Sequence, residues 1–495
     1  MINAQMTDKL IDDWLGCEGS DDAREHELLA CLAAEPPPSP RKVKTIAIFY
    51  HRFYAGGIER VISEQFSYFL KNGFKVVFLT EEPPSAKDFP ILPSVIREQV
   101  PKDSPKARLA ALRGIFERHE VDLYYTHASF ARQTAWDLLI VRHVLKRRVI
   151  VHAHGIFPCS LVWGEDDLQR RLEMYRLADH LVVLSRADAF YYRAYGINCT
   201  YLPNPVPAIP LQEDLTDLRF LSKLVLVVGR VCAVKQTIEA LRVATEMRAI
   251  DPAVHFLVVG NRDDAGYWRR FQMEYRKRGL GATVDFQDYT MDVEALYRKG
   301  ALLLMTSRLE GYPMVMAEAM GYGLPVVSYE MPYVELVREP ESGVVMVPQG
   351  DAAGAAQCIG RLLGDRELYE KLSRQSRAAY ERIPAGEELQ KAYAKVVEAT
   401  MQDRAQVDEG LADARAAFES LMPQMRVCLK AYYDRGWRDA VEKMPKPAAD
   451  RAGSPATPHF AGLSSKVFWM IRTYGVWQTM KKAMRKVCKV VLGGR

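Results

Sequence analysis

Short apolar runs and amphipathic stretches follow one another along most of this chain. "VKTIAIFY", "FKVVFLT", "DLYYTH", "RVIVHAH" and "HLVVLS" are each too short for a buried helix and read as buried strands. Between some of them the apolar positions fall at helical spacing. In "HRFYAGGIERVISEQFSYFL" a loop with paired glycines leads into an amphipathic helix. The pattern pauses at "YLPNPVPAIP", Tyr201 to Pro210, whose four prolines mark a linker. It then resumes with "KLVLVVG", "VHFLVVG", "ATVDFQ", "ALLLMTS" and "LPVVSY". Strands alternating with helices predict parallel sheets covered by helices on both faces.

The expected fold is therefore α/β, with two doubly wound, Rossmann-like domains facing each other across a cleft and a helical C-terminal extension. The expected organisation is an acidic extension and Pro-rich hinge over 1–40, a first domain over 41–205 and a second over 206–385. A helical return follows over 386–445, then a linker over 446–458 and a basic tail over 459–495. Composition adds little to this: 48% hydrophobic and 26% charged residues are ordinary for a globular chain. No apolar run approaches the ~18–20 residues that cross a bilayer. The N-terminus is acidic where a signal peptide is basic and then apolar. Eight cysteines without a CxxC pair suit free thiols in a reducing compartment. The expected location is cytoplasmic.

Candidate chemistry gathers at the carboxyl ends of the predicted strands. In "SRLEGYPMVMAEAMGYGLPVVSYE" Glu310 stands in the turn before a helix and Glu318 lies two turns along it. Pro313 suits a first helical turn. The free N–H groups near it, such as those of Met314 and Val315, make an anion site at the edge where open α/β sheets bind ligands. An isolated pair of glutamates is more simply a charge at the helix's positive end and another on a solvated face. The flanking pattern turns the reading towards a ligand with both phosphate and hydroxyls, with Glu318 placed for a ribose. A nucleotide-sugar has those parts in order.

Three further patterns bear on this. In "VVGRVCAVKQ", Arg230 and Lys235 follow a strand and can hold a diphosphate and neutralise its charge as it leaves. In "YAGGIERV", Gly56 and Gly57 let backbone approach a ligand at a helix N-terminus, although the full dinucleotide fingerprint GxGxxG is missing. His127, His152 and His154 close two strands and are expected to line the cleft. The HxH pair suggests zinc, but no third and fourth ligand stands at a suitable spacing, so no metal site is expected.

Together, "GGIERV", "VIVHAHG", "LVVLS", "LPNPV", "VVGRVCAVKQ", "SRLEGYPMVMAEAMGYGLPVV" and "GVVMVPQGD" resemble the retaining glycosyltransferases of family 4, which have the GT-B architecture. The resemblance covers roughly residues 43–400. It implies transfer of a hexosyl unit from a nucleoside-diphosphate sugar, most simply a UDP-sugar, to a hydroxyl of a glycan or lipid-linked acceptor. The anomeric configuration would be retained without a metal or other cofactor. Such enzymes serve cell-surface polysaccharide or glycoconjugate assembly. By the resemblance His154, Glu310, Arg230 and Lys235 are catalytic. The donor would be held by Gly57, Arg230, Lys235, Glu310, Gly311, Tyr312, Met314, Val315 and Glu318. Gln236 departs from the pattern, standing where glycine is common after the lysine. A sugar-nucleotide epimerase and a non-catalytic partner subunit on the same scaffold are the competing readings.

Charge changes the picture only at the C-terminus. Eight of the Lys and Arg residues and no acid fall between Lys466 and Arg495, which leaves the rest of the chain net negative. Val467, Ile471, Tyr474, Trp477, Met480, Met484, Val487 and Val491 form one apolar helical stripe. Lys481, Lys482, Arg485, Lys486 and Lys489 crowd the other faces. The expectation is peripheral binding to an anionic membrane surface through residues 466–492, on the inner face of the cell membrane, and no nucleic-acid partner.

Overall fold

The computed structural model describes residues 36–402 apart from 55, 158–164, 211–214, 291, 332–333 and 338–340, together with 11–15, 25, 28, 29 and 32 further upstream. All of these belong to one compact unit. The predicted basic tail, the linker and the end of the helical return lie outside the described residues. No helix among those described is long and apolar enough to cross a membrane.

Two wholly parallel sheets form the frame. The first has seven strands in the order β3-β2-β1-β4-β5-β6-β7. These strands are β1 (Thr45–Phe49), β2 (Lys75–Thr80), β3 (Ile96–Gln99), β4 (Leu123–Thr126), β5 (Arg148–His152), β6 (His180–Val183) and β7 (Cys199–Tyr201). The second has six, in the order β10-β9-β8-β11-β12-β13. Its strands are β8 (Leu224–Val228), β9 (His255–Val259), β10 (Val284–Gln287), β11 (Leu302–Met305), β12 (Val326–Tyr329) and β13 (Val344–Val347). The central runs "TIAIF", "LYYT" and "LLLM" are buried throughout, as strands covered on both faces must be. Strand order reverses between β1 and β4 and again between β8 and β11. At such a reversal the loops diverge and leave a crevice outside the carboxyl ends of the strands.

The helices bury their apolar stripes against these sheets. In Gly57–Lys71 the buried face carries Val61, Ile62, Gln65, Phe66 and Phe69. Pro105–His119 starts at Ser104, whose hydroxyl accepts from the Ala107 N–H. Met314–Gly321 is buried on nearly every side, with Met316, Ala317 and Met320 in the core of the second domain. The last described helix, Gly386–Thr400, returns to the first domain. Its Leu389, Tyr393, Val396 and Val397 join the core that holds Phe66 and Phe69. The chain thus ties the two domains twice, through the Pro-rich linker and through this return. Upstream, Glu25 accepts from Arg132 at 3.0 Å and from the Trp136 indole at 2.8 Å, which anchors part of the acidic extension to the first domain.

Candidate active site

Each group singled out in the sequence follows a strand at or beside a reversal of strand order. Arg230 and Lys235 follow β8, and Glu310 to Val315 follow β11, its neighbour. Across the cleft Gly57 follows β1, while His127 and His154 follow β4 and β5. One cavity of about 520 Å³ brings together Gly57, His154, Arg230, Lys235, Glu310, Gly311, Tyr312, Met314, Val315 and Glu318. That size lies in the range of small-molecule sites. A cavity of about 510 Å³ behind the second domain is of another kind. Its arginines are committed to Asp217, Glu370 and the carbonyls of Gly321 and Tyr322.

The two glutamates are held differently. Lys235 Nζ donates to Glu310 Oε1 at 2.6 Å, so these two groups neutralise each other. Glu318 is only 3% exposed, which overturns any reading of it as a solvated helix-face charge. Arg60 Nη1 donates to its Oε1 at 2.6 Å and the Tyr297 hydroxyl to its Oε2 at 2.9 Å. Burial raises the Glu318 pKa above the ordinary carboxylate range, against the opposing pull of Arg60 and Tyr297. Arg230 is exposed and has no hydrogen-bond partner among the described residues. Its charge is felt across the cleft by Tyr50 and Glu59.

Three helices begin at the cavity: Gly57–Lys71, Met314–Gly321 and Val293–Lys299, the last capped by Asp292, which accepts from the Ala295 N–H at 3.1 Å. In Gly57–Lys71 the Glu59 carboxylate folds back over the first turn, and a Cβ at Gly56 would lie 2.2 Å from Glu59 Oε2. Gly56 is therefore needed by the protein's own carboxylate. Both paired glycines stand on the cavity wall, Gly56 with the Glu59 carboxylate packed against it and Gly57 opposite Met314. The helix Met314–Gly321 begins at Pro313 and has no side-chain cap. Met314 and Val315 at its start line the cavity with Arg230, Lys235 and Glu310, and a helix end of this kind suits an anion.

Local backbone explains two further residues. Gln236 adopts φ +49°, a left-handed conformation that favours glycine, which accounts for glycine being common there. Its amide donates to the Thr306 carbonyl at 2.9 Å and to Gln349 at 2.8 Å, bonds that glycine cannot make. At Gly311 a Cβ would stand 2.2 Å from the His154 carbonyl oxygen, so the domains touch here backbone to backbone.

The histidines depart from expectation. Only His154 reaches the cavity; His127 and His152 are 1% and 0% exposed. The fold also supplies the third imidazole that spacing could not show. Nitrogens of His127, His152 and His154 all lie within 4.8 Å of one another. The rings, however, are stacked: His152 on His154 at 4.4 Å and 17°, and His127 on His154 at 5.1 Å and 22°. His127 and His152 are inclined by 35°. A metal lies near the plane of each imidazole that binds it, an arrangement that face-to-face rings do not favour. The 2.8 Å between His127 Nδ1 and His154 Nε2 is that of a hydrogen bond. Burial lowers the pKa of all three, His154 to about 3, so they stand neutral at pH 7. Arg60, Gln65 and Tyr297 escaped the sequence reading. Gln65 alone had a signal there, as a polar residue inside an apolar helical stripe.

Comparison with known proteins agrees with this geometry. Residues 55–208 match the family described as Glycosyltransferase Family 4, and residues 222–365 match Glycosyl transferases group 1, together more than half of the chain. The GalNAc-alpha-(1->4)-GalNAc-alpha-(1->3)-diNAcBac-PP-undecaprenol alpha-1,4-N-acetyl-D-galactosaminyltransferase of Campylobacter jejuni is 25% identical over 53% of this chain and 70% of its own length. Anabaena Alr3699/HepE, crystallised with UDP and glucose, superposes with a TM-score of 0.59 at 17% identity, over 71% of this chain and 99% of HepE. Sucrose-phosphate synthase of Thermosynechococcus elongatus gives a TM-score of 0.60 at 19% identity, over 72% of this chain and 98% of the synthase. With two parallel doubly wound sheets, a cleft at both reversals and both halves of the family in order, the chain belongs to the family 4 glycosyltransferases of GT-B fold.

Proposed function

We propose that this glycosyltransferase moves a hexosyl unit from a nucleoside-diphosphate sugar to a hydroxyl of a glycan or lipid-linked acceptor, with retention at the anomeric carbon. The observation that carries the reading is the grouping around one open helix N-terminus. Two cations, Arg230 and Lys235, and two carboxylates, Glu310 and Glu318, converge there in one cavity. The diphosphate lies on the N–H groups of Met314 and Val315 and between the two cations. Glu318 accepts from the ribose hydroxyls, and Glu310 accepts from hydroxyls of the sugar. His154 approaches the sugar from the first domain.

As the bond from the anomeric carbon to phosphate oxygen breaks, its electron pair stays on the phosphate. Arg230, Lys235 and the helix N–H groups stabilise that charge, the role a metal fills elsewhere. The acceptor oxygen attacks the same face of an oxocarbenium-like centre, and its proton passes to the departing phosphate. We favour a UDP-sugar, because the structurally similar Anabaena protein binds UDP and glucose. We favour a lipid-linked acceptor at a cytoplasmic membrane face, because the Campylobacter jejuni relative is named for an undecaprenol-linked one. The basic tail, residues 466–492, suits that location. Cell-surface polysaccharide or glycoconjugate assembly is the setting this chemistry serves.

The test is a panel of nucleotide-sugars scored for nucleotide release with and without lipid-linked acceptors. Release that depends on one donor and rises with acceptor supports transfer. Nucleotide release that ignores every acceptor points to the epimerase reading instead.

A further inference from the structure

His154 lines the cleft, but the groups that set its hydrogen bonding lie behind it. Its Nε2 stands 2.8 Å from Nδ1 of His127. His127 Nε2 in turn stands 2.7 Å from Oε1 of Gln65. The other end of the Gln65 amide donates to the Tyr125 hydroxyl at 3.1 Å. Gln65, Tyr125 and His127 are at most 1% exposed, so water does not arbitrate between them. Gln65 shares its helix face with Val61, Ile62, Phe66 and Phe69, where an aliphatic side chain would pack without any polar cost.

The proton positions follow from what each atom can do. An amide oxygen only accepts, so His127 carries its proton on Nε2. A neutral imidazole protonated there has a bare Nδ1, which only accepts. His154 must then carry its own proton on Nε2, and its Nδ1 is left bare. Both rings are neutral, because burial and their mutual proximity oppose a positive charge. Reversing the Gln65 amide would reverse each of these protons and put the His154 proton on Nδ1. The amide stands with its nitrogen 3.1 Å from the Tyr125 hydroxyl and its oxygen 2.7 Å from His127 Nε2. At the far end, Tyr125 donates to His152 Nδ1, which leaves one N–H, that of His152 Nε2, buried without a partner.

We infer that Gln65 is a positioning residue which, through His127, fixes His154 as the Nε2–H tautomer and leaves Nδ1 as a hydrogen-bond acceptor for a hydroxyl of the bound sugar. This rests on the reading of the cleft as the donor site. No group in the chain from Gln65 to His154 changes charge. Gln65 therefore acts by orienting a neutral ring, and supplies neither acid nor base.

Long-range proton–nitrogen NMR on the full chain, labelled at histidine nitrogens, reads the tautomer directly; His154→Asn assigns the signals. The wild-type protein should show His154 protonated on Nε2 at pH 7. Gln65→Leu, close in volume, should give a mixture of tautomers. Its kcat should fall roughly tenfold, the worth of one neutral hydrogen bond, while nucleoside-diphosphate binding stays within about twofold of wild type. A His154 proton on Nδ1 in the wild type overturns the inference even if the variant fails to fold. So does an unchanged tautomer in a folded Gln65→Leu. A shifted tautomer with undiminished turnover overturns instead the placing of His154 at the sugar.

Discussion

Arg230 and Lys235 differ in their surroundings: one has no bonded partner among the described residues, the other is paired with Glu310. Both are expected to matter only as charge builds on the leaving phosphate. Arg230→Ala and Lys235→Ala should each lower turnover ~10²–10³-fold, the scale of one lost oxyanion-type donor, with thermal stability little changed. Steady-state kinetics beside a melting curve checks this; wild-type turnover in both variants removes the pair from the mechanism. Glu318 behaves in the opposite way, as a site whose chemistry costs stability. Its pKa is raised in the fold, mainly by burial. Its contribution to stability is therefore full below the ordinary carboxylate pKa and is lost as pH rises through the raised value. Glu318→Gln removes the buried charge, so it should melt higher than wild type at pH 7, and the gap should close as pH falls below about 4.5. A lower melting point at pH 7 would mean that Arg60 and Tyr297 more than offset the burial. The roles of Glu310 and Glu318 were open to inference from their flanks. Their partners were not, because Arg60 lies 258 residues from Glu318 and only the fold brings them together.

At the scale of elements, the central strands were legible because a strand covered on both faces needs an unbroken apolar run. β3 and β7 escaped for the same reason in reverse. They are the two edges of the first sheet, and "IREQ" and "CTY" need only partial cover. The three histidines were assigned to one cleft-lining group because strand ends share an edge, but depth below that edge is not encoded in spacing. The loop after β11 carries an element-scale constraint, since Gly311 touches the backbone of His154. A methyl group cannot fit 2.2 Å from a carbonyl oxygen, so Gly311→Ala must prop the loops apart by about 1 Å. A shift of that size at reacting groups costs ~10²-fold in rate. We expect such a loss in kcat with each domain still folded. Unimpaired kcat in Gly311→Ala would show that the contact opens during turnover.

For the whole molecule, two doubly wound domains tied by a linker and a returning helix put one set of groups on each wall of the cleft. The first domain supplies Gly57, Arg60 and His154, and the second supplies Arg230, Lys235, Glu310 and Glu318. We propose that the basic tail, residues 466–492, binds an anionic membrane surface, each cation adding ~1 kcal/mol there. Deleting residues 459–495 should abolish co-sedimentation with anionic liposomes at low salt while leaving donor hydrolysis intact; equal co-sedimentation of both proteins rules the tail out as the anchor. Activity is expected to survive EDTA, and loss restored by a divalent ion would reverse that reading. The central claim, that this cleft is a nucleotide-sugar site built on Glu318 and the open helix end, is tested most directly by calorimetric titration with nucleoside diphosphates. The account predicts that the wild-type protein binds UDP or another nucleoside diphosphate, that Glu310→Gln binds it equally well, and that Glu318→Ala binds it at least ~10-fold more weakly, the cost of about one charged hydrogen bond. Wild-type protein that binds no nucleoside diphosphate, or Glu318→Ala that binds as tightly as wild type, would contradict it.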